Sequence, residues 1–153
     1  MTSEHASNGD FLNEPILSHD EINYFCKWFA DLGFESVVEE DGLISEYGDS
    51  GDSLFLMIEG EAIVEVPVGN RWLNVALLRK GTVIGEISFL DYQPRTARVR
   101  ARTKCRLFNI SRDAFNEMAE SNTNVAFKLL QKISNILAYR LRRIEQFDAV
   151  EQG

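Results

Sequence analysis

The sequence has 153 residues, of which 44% are hydrophobic and 26% are charged, and its formal net charge is −8 at pH 7. A chain of this size buries one core rather than two. Its negative charge argues against a surface that binds nucleic acid or anionic lipid non-specifically, and no apolar run approaches the roughly 20 residues of a membrane helix. Because the N-terminus also lacks a secretory signal, we expect one cytoplasmic domain that binds neither membrane nor nucleic acid.

The two cysteines also indicate a cytoplasmic protein. Cys26 and Cys105 each lie within an apolar pattern. Two cysteines are too few for a disulfide framework, and thiols persist in a reducing cytoplasm. We therefore predict buried, unpaired thiols.

The chain begins with a polar segment, residues 1–17, which has no periodicity and predicts a flexible leader. A helix start follows, because Ser18 and Glu21 have the spacing of a capping box. Apolar residues then recur at helical spacing, and Gly33 stands where a left-handed C-terminal cap is expected. The pattern predicts one amphipathic helix that ends near residue 33.

From about residue 35 to 110 the sequence consists of short β-rich runs. Turn signals rich in glycine and aspartate separate these runs, and residues 97–102 alternate strictly between small apolar residues and arginine. Many short strands at close spacing predict a mainly β domain, either a closed antiparallel barrel or a jelly roll. The alternation predicts a strand with one buried and one solvated face.

Two further helices are predicted at the C-terminal end. Ser111 is a good N-cap for a short helix, and a long helix then runs from about Thr123 to Phe147, followed by a tail at residues 148–153. The long helix has an apolar stripe formed by Leu130, Ile133, Leu137, Ile144 and Phe147. Arg140 falls in the same stripe, where it either extends to solvent or contacts a ligand.

One segment, residues 81–97, does not fit a plain sheet. Gly85-Glu86 interrupts the strand pattern, and residues 86–90 suit one helical turn. A helix start at a glycine offers free N–H groups to a phosphate, and the guanidinium of Arg95 could clamp the same anion. The alternative that the residues leave open is a turn with an ordinary ion pair between Glu86 and Arg95.

This segment closely resembles the phosphate-binding cassette of cyclic nucleotide-binding domains. The resemblance rests on Gly85-Glu86-Ile87-Ser88-Phe89-Leu90 and Pro94-Arg95-Thr96-Ala97, and it extends to the glycine turn at residues 48–55 and to Ile58-Glu59-Gly60. The family includes the catabolite activator protein, regulatory subunits of protein kinase A and channel domains. The resemblance implies a cyclic nucleotide-binding domain over residues 18–147, with a cupin-like double-stranded β-helix and a C-terminal lid helix.

The resemblance also implies a set of ligand-binding residues. Glu86 is expected to accept a hydrogen bond from the ribose 2′-hydroxyl, and Arg95 is expected to bind the cyclic phosphate. The expected set that surrounds these two residues is Gly85, Ile87, Ser88, Thr96, Ala97 and Arg140. Of these, Thr96 could reach either the phosphate or a guanine amino group, and Arg140 could cap or stack on the purine. We expect cyclic AMP as the ligand, with appreciable binding of cyclic GMP.

The function expected from this resemblance is a stand-alone cyclic nucleotide sensor that signals through a homodimer of its C-terminal helix or through an unidentified protein partner. The alternative is the truncated effector domain of a transcription regulator of the catabolite-activator type. An enzyme is not expected, because His5, His19 and Cys26 have no spacing typical of a nucleophile with its base or of metal ligands. We predict no catalytic residue, no metal and no cofactor other than the bound nucleotide.

Overall fold

Two antiparallel four-stranded sheets form the body of the domain in the computed structural model, which describes residues 15–152 and their side chains as far as Ile144. One sheet has the order β1-β8-β3-β6 and the other the order β2-β7-β4-β5. The strands are β1 (Phe34–Val38), β2 (Leu43–Ser45), β3 (Ser53–Glu59), β4 (Ala62–Val68), β5 (Arg71–Leu78), β6 (Val83–Ile84), β7 (Arg98–Ala101) and β8 (Cys105–Ser111). The predicted jelly roll is confirmed, and its two sheets do not close into a barrel.

The central strands of the second sheet show why this sheet has one buried face. Strand β4 pairs with β7 and β5, so that Ala62 lies opposite Ala101 and Leu78, and Val64 lies opposite Val99 and Ala76. These small and branched side chains face inward, whereas Arg98 and Arg100 alternate outward. The predicted alternation of residues 97–102 is therefore confirmed.

Four helices flank the sheets within the described residues: α1 (His19–Trp28), α2 (Glu86–Asp91), α3 (Arg112–Ser121) and α4 (Thr123–Gln152). The capping box of α1 is present, with the Glu21 N–H donating to Ser18 Oγ at 3.1 Å and the Ser18 N–H donating to Glu21 Oε1 at 3.0 Å. Helix α4 continues beyond the expected end at Phe147, so the predicted tail at residues 148–153 is helical as far as Gln152.

The predicted end of the first helix was wrong. Helix α1 ends at Trp28 with Phe29 as its C-cap, and Gly33 does not adopt a left-handed conformation. A Cβ atom on Gly33 would lie 2.6 Å from the Asn109 carbonyl oxygen and 2.7 Å from the Phe108 ring. Glycine is needed there because the chain passes close to β8, and not because it terminates a helix.

The predicted flexible leader does not extend as far as residue 17. Leu17 is 2% exposed, belongs to the hydrophobic core, and donates its N–H to the Gly81 carbonyl oxygen at 2.8 Å. The ordered domain therefore begins before residue 18. The rest of the predicted leader, residues 1–14, lies outside the described residues.

The apolar stripe predicted on the long helix meets different neighbours along α4. Ile133 is fully buried and packs with Phe25, Phe29 and Leu129 in the core beneath α1 and α3. Leu137 packs against the same core, and Ile144, although exposed, faces the cavity between α4 and the second sheet. Leu130 is exposed, and the side chain of Phe147 lies outside the described ones.

Candidate functional site

A cavity of about 400 Å³ opens between the inner face of the second sheet, helix α2 and helix α4. All eight residues predicted to bind the ligand line it: Gly85, Glu86, Ile87, Ser88, Arg95, Thr96, Ala97 and Arg140. The volume falls within the range of small-molecule sites. The structure thus brings together residues from two distant parts of the sequence.

Gly85 determines how the polar end of the cavity is built. It stands between β6 and α2 with φ at 85° and ψ at 18°, a left-handed conformation that favours glycine. A Cβ atom here would meet the Arg95 guanidinium and would lie 3.1 Å from the Ser53 carbonyl oxygen. Only glycine therefore lets the chain turn into α2 while Arg95 lies directly against the backbone.

Arg95 is buried and held by backbone oxygens. The side chain donates from Nη1 to the Gly85 carbonyl at 2.9 Å and from Nη2 to the Ser53 carbonyl at 2.6 Å, and the residue is 7% exposed. Burial lowers the pKa of its guanidinium, while the carboxylates of Asp52 and Glu86 oppose part of that shift. Since arginine keeps its proton in proteins, Arg95 supplies a buried positive charge at the wall of the cavity.

The glycine turn between β2 and β3 holds the backbone of Arg95 through two hydrogen bonds. Gly48 donates its N–H to the Arg95 carbonyl at 3.0 Å, and the Arg95 N–H donates to the Asp49 carbonyl at 2.8 Å. Together with the Ser53 contact, these bonds fix both the backbone and the side chain of Arg95. The glycine turn recognised in the sequence therefore supports Arg95.

Glu86 is the buried carboxylate of the site. It is the first residue of α2 and is 5% exposed. Its Oε1 accepts a hydrogen bond from Arg140 Nη1 in a close ion pair. The ordinary ion pair between Glu86 and Arg95 that the sequence left open is thus not the arrangement observed, because Glu86 pairs with α4 and Arg95 bonds to carbonyl oxygens.

The remaining predicted residues have different environments. Ser88 is buried, and its Oγ donates to the Pro94 carbonyl at 3.1 Å, so that it ties α2 to the segment carrying Arg95. Thr96 and Ile87 are exposed, and Ala97 is half-buried. Of these four, Thr96 presents a side-chain hydroxyl at the surface of the cavity.

Sequence reasoning missed the apolar wall of the cavity and the residue that supports α2. The wall consists mainly of Val64, Val75, Ala76, Leu78, Val83 and Val99. The alternation in β4 and β7 was the signal that could have located part of this wall.

The residue that supports α2 is Arg112, which donates to the Ser88 carbonyl at 2.9 Å, the Phe89 carbonyl at 3.2 Å and the Gly51 carbonyl at 3.1 Å. Nothing in the local sequence distinguishes Arg112 from an ordinary first-turn residue of α3.

Other kinds of site are not found in the described part of the chain. No group of three or more histidine, cysteine or acidic side chains there is placed to hold a metal ion. Of the residues considered for an enzyme, His19 hydrogen-bonds Asn23 on α1, and His5 lies outside the described residues. Among residues 15–152, no helix has the length and apolarity needed to cross a membrane.

Comparison with known proteins identifies the family. Residues 35–122, more than half of the chain, match the model of the cyclic nucleotide-binding domain. The chain belongs to this family, as the cassette predicted.

Individual relatives agree with this assignment. Over 109 residues the chain is 36% identical to the cAMP-dependent protein kinase regulatory subunit of Yarrowia lipolytica, an alignment that covers 71% of this chain and 28% of that protein. A cyclic nucleotide-binding domain from Methylobacillus flagellatus is similar in structure, with a TM-score of 0.74 and 26% identity over 85% of this chain and 72% of that one.

A third relative shares the fold alone. The catabolite activator protein of Thermus thermophilus has a TM-score of 0.70 at 23% identity, and the match covers 88% of this chain and 61% of that one. The present chain thus corresponds to less than a third of the length of the kinase subunit and to about three fifths of the length of the activator.

Proposed function

We propose that this chain is a cyclic nucleotide sensor that binds cyclic AMP, and also cyclic GMP, in the cavity between the second sheet, α2 and α4. The observation that carries the proposal is that a buried arginine and a buried carboxylate, Arg95 and Glu86, line one cavity at the left-handed turn of Gly85. A cyclic nucleotide presents an anionic phosphate and a ribose hydroxyl side by side. These two groups complement a guanidinium and a carboxylate respectively.

Arg95 is the proposed ligand of the cyclic phosphate. A guanidinium has five N–H donors, and two of them donate to the Gly85 and Ser53 carbonyls. These two bonds fix the plane of the guanidinium, and further donors can bond a phosphate oxygen in the cavity. Because the anion is largely removed from water, such charge-assisted bonds are strong.

The rest of the cavity accommodates the nucleoside. Glu86 is the proposed acceptor for the ribose 2′-hydroxyl, and the valine-rich wall provides an apolar surface for the purine. Thr96 has one hydroxyl that can reach the phosphate or the amino group of guanine. Cyclic AMP is the expected ligand, which agrees with the similarity to a cAMP-dependent kinase subunit, and the Thr96 hydroxyl supports additional binding of cyclic GMP.

Helix α4 is the proposed output element, because it lines the cavity with Tyr139, Arg140 and Arg143 and also presents apolar side chains outward. We propose that it pairs with α4 of a second copy and passes the signal to a downstream protein. The two free thiols, Cys26 and Cys105, are consistent with a cytoplasmic sensor. A net charge of −8 makes binding of nucleic acid or anionic membrane by this domain unexpected.

A second candidate is the effector domain of a transcription regulator of the catabolite-activator type. The shared fold and the outward apolar stripe of α4 favour it. It uses the same nucleotide site, so the titration described next tests the site in both cases.

The decisive experiment is calorimetric titration of the protein with cyclic AMP and cyclic GMP side by side, for the parent and for Arg95→Ala. Truncating Arg95 removes the buried cation that faces the phosphate, so we expect affinity to fall by about 30-fold to several thousand-fold, or about 2–5 kcal/mol. Arg102→Ala is the matched control, because it removes the same charge from an exposed side chain outside the cavity. Circular dichroism establishes that both variants are folded.

Two results would contradict the proposal. Failure of the parent to bind either nucleotide would exclude the sensor function. Binding by a folded Arg95→Ala variant with the affinity of the parent would show that the phosphate does not lie at Arg95.

A further inference from the structure

Arg112, the first residue of α3, connects the end of α2 to the glycine turn between β2 and β3. Its Nε donates to the Phe89 carbonyl at 3.2 Å, and its Nη2 donates to the Ser88 carbonyl at 2.9 Å and to the Gly51 carbonyl at 3.1 Å. The backbone N–H of Arg112 also donates to the Asp52 carbonyl at 2.8 Å. The side chain and the backbone of one residue therefore hold the two segments together.

The carbonyl groups at the end of α2 need such a donor. The last carbonyls of a helix have no partner within the helix. The N–H that would reach the Phe89 carbonyl in a longer helix, that of Gln93, donates instead to the Asp91 side chain at 2.9 Å. Arg112 thus replaces a hydrogen bond that the short helix lacks, and its positive charge is favourable at a helix C-terminus.

Tyr92, which follows α2, restrains the guanidinium of Arg112. The guanidinium carbon lies 3.8 Å from the centre of the Tyr92 ring, and a cation over an aromatic face is attracted to it. Tyr92 is 68% exposed and has a left-handed backbone with φ at 65°, which is unfavourable for a residue with a Cβ atom. The ring covers one face of the guanidinium, while the carbonyl groups fix its plane.

Arg95 depends on the spacing of the same two segments. It donates to the Gly85 carbonyl before α2 and to the Ser53 carbonyl where the glycine turn enters β3. A planar guanidinium keeps both bonds only while the two carbonyls keep their distance. Burial, and to a smaller extent the charge of Arg112, lower the pKa of the Arg95 guanidinium, so the two cations repel each other. Arg112 therefore helps Arg95 through its hydrogen bonds and not through its charge.

We propose that Arg112 is a positioning residue for phosphate binding, an inference that rests on the proposed nucleotide-binding function. Arg112 is not among the residues that line the cavity, so it acts through α2 and the glycine turn. By fixing the distance between these segments, it holds the two carbonyls that orient the Arg95 guanidinium toward the phosphate.

A double-mutant cycle tests the proposal: the parent, Arg112→Gln, Arg95→Lys and the double variant are titrated calorimetrically with cyclic AMP. With Arg95 present, Arg112→Gln should weaken binding about tenfold, because the Arg95 guanidinium loses its fixed orientation. A lysine ammonium is a point charge that does not depend on two fixed carbonyls. With Lys at position 95, the same change should therefore cost less than about threefold.

Titration with adenosine, which lacks the phosphate, distinguishes positioning of Arg95 from general loosening of the site. Arg112→Gln should leave adenosine affinity within about threefold of the parent value and so reduce the preference for cyclic AMP. Arg112→Lys keeps the charge but lacks the planar fork of donors, so it should lose cyclic AMP affinity as Arg112→Gln does.

The matched control is Arg106→Gln, which removes the same charge from β8 outside the cavity. Arg106 is exposed and pairs with Glu35 and Glu59. The control should leave the affinity for both ligands unchanged. Thermal unfolding verifies that each variant is folded, and Arg112→Lys provides the test if Arg112→Gln does not fold.

The possible failures are distinguishable. Suppose that the parent binds cyclic AMP. The inference is overturned, while the sensor function stands, if the Arg112 variants bind like the parent, if their cost is the same with Lys at position 95, or if adenosine binding weakens equally. Full affinity in Arg112→Lys alone would show that charge and not geometry acts, which also overturns it. If the parent binds neither nucleotide, the proposed function is excluded and this inference with it.

Discussion

At the scale of single residues, the backbone conformation of Gly85 and the position of the Arg95 side chain depend on each other. The left-handed backbone at Gly85 directs its carbonyl oxygen to Arg95 Nη1, and the missing side chain leaves the space that the guanidinium occupies. We predict that Gly85→Ala destabilises the fold by about 1–2 kcal/mol, because a Cβ atom is unfavourable at a φ of 85°. We also predict that it weakens cyclic AMP binding about tenfold or more, since Arg95 must move. Urea unfolding and calorimetric titration measure the two effects.

Gly69 provides the matched control for this prediction. It lies between β4 and β5 with φ at 60°, and a Cβ atom there would have no neighbour within 4 Å. Gly69→Ala should therefore have a similar backbone cost and leave affinity unchanged. If both variants lose the same affinity, or if neither does, the position of Arg95 does not depend on the absence of a side chain at Gly85.

At the scale of elements, a small network joins β4 to β7 on the outer face of the second sheet. Glu65 accepts from Arg98 Nε at 3.1 Å and from Arg100 Nε at 3.0 Å, and the Arg98 guanidinium stacks 3.7 Å above the Trp72 ring. Burial acts to raise the pKa of Glu65, but the hydrogen bonds and charges of the two arginines outweigh it and lower the pKa overall. This network aligns the strands whose other face lines the cavity.

The lowered pKa of Glu65 predicts a pH dependence of stability. A carboxylate with a lower pKa in the folded state stabilises the protein at pH values above its unfolded pKa of about 4.3, and this contribution is lost as the pH falls through the lower folded value. We therefore expect Glu65→Gln to reduce the free energy of unfolding at pH 7 and to flatten its decline below about pH 4.3. Urea unfolding at several pH values tests this expectation.

The control for Glu65 is Glu61→Gln, which removes a carboxylate from the turn that precedes β4. Glu61 is about half exposed and lies 3.8 Å from Arg102, so its ion pair should contribute little. The decline in the free energy of unfolding of the Glu61→Gln variant at low pH should match that of the parent. A Glu65→Gln variant whose decline also matches the parent would show that the network does not stabilise the folded state through its charge.

Local patterns were sufficient to predict some elements and not others. The capping box of α1, the strand alternation at residues 97–102 and the glycine-led turn at Gly85 depend on neighbouring residues, so the sequence reveals them. The end of α1 was mispredicted because Gly33 serves a close approach to β8, which depends on a strand far along the chain. The partner of Glu86 could not be predicted for the same reason, since Arg140 reaches it only through the packing of α4.

At the scale of the whole molecule, α4 has two apolar faces with different neighbours. The inner face, which includes Leu129, Ile133 and Ile136, is buried against the core. The outer face carries the exposed side chains Phe127, Leu130 and Leu141, which are three and eleven residues apart and so lie on one side of the helix. Exposed apolar residues at this spacing are typical of a helix that pairs with another helix.

We therefore predict a homodimer through the outer face of α4. Light scattering should give twice the chain mass of 17.4 kDa. Leu141→Glu should yield the monomer, because Leu141 is 57% exposed, lies outside the cavity, and would bring two like charges together across a two-fold axis. The matched control is Val68→Glu, which places the same charge at an equally exposed apolar residue of the β4–β5 hairpin and should leave the mass unchanged. A monomeric parent at every concentration, with and without nucleotide, would exclude the dimer, and a Leu141→Glu variant that stays dimeric would place the interface elsewhere.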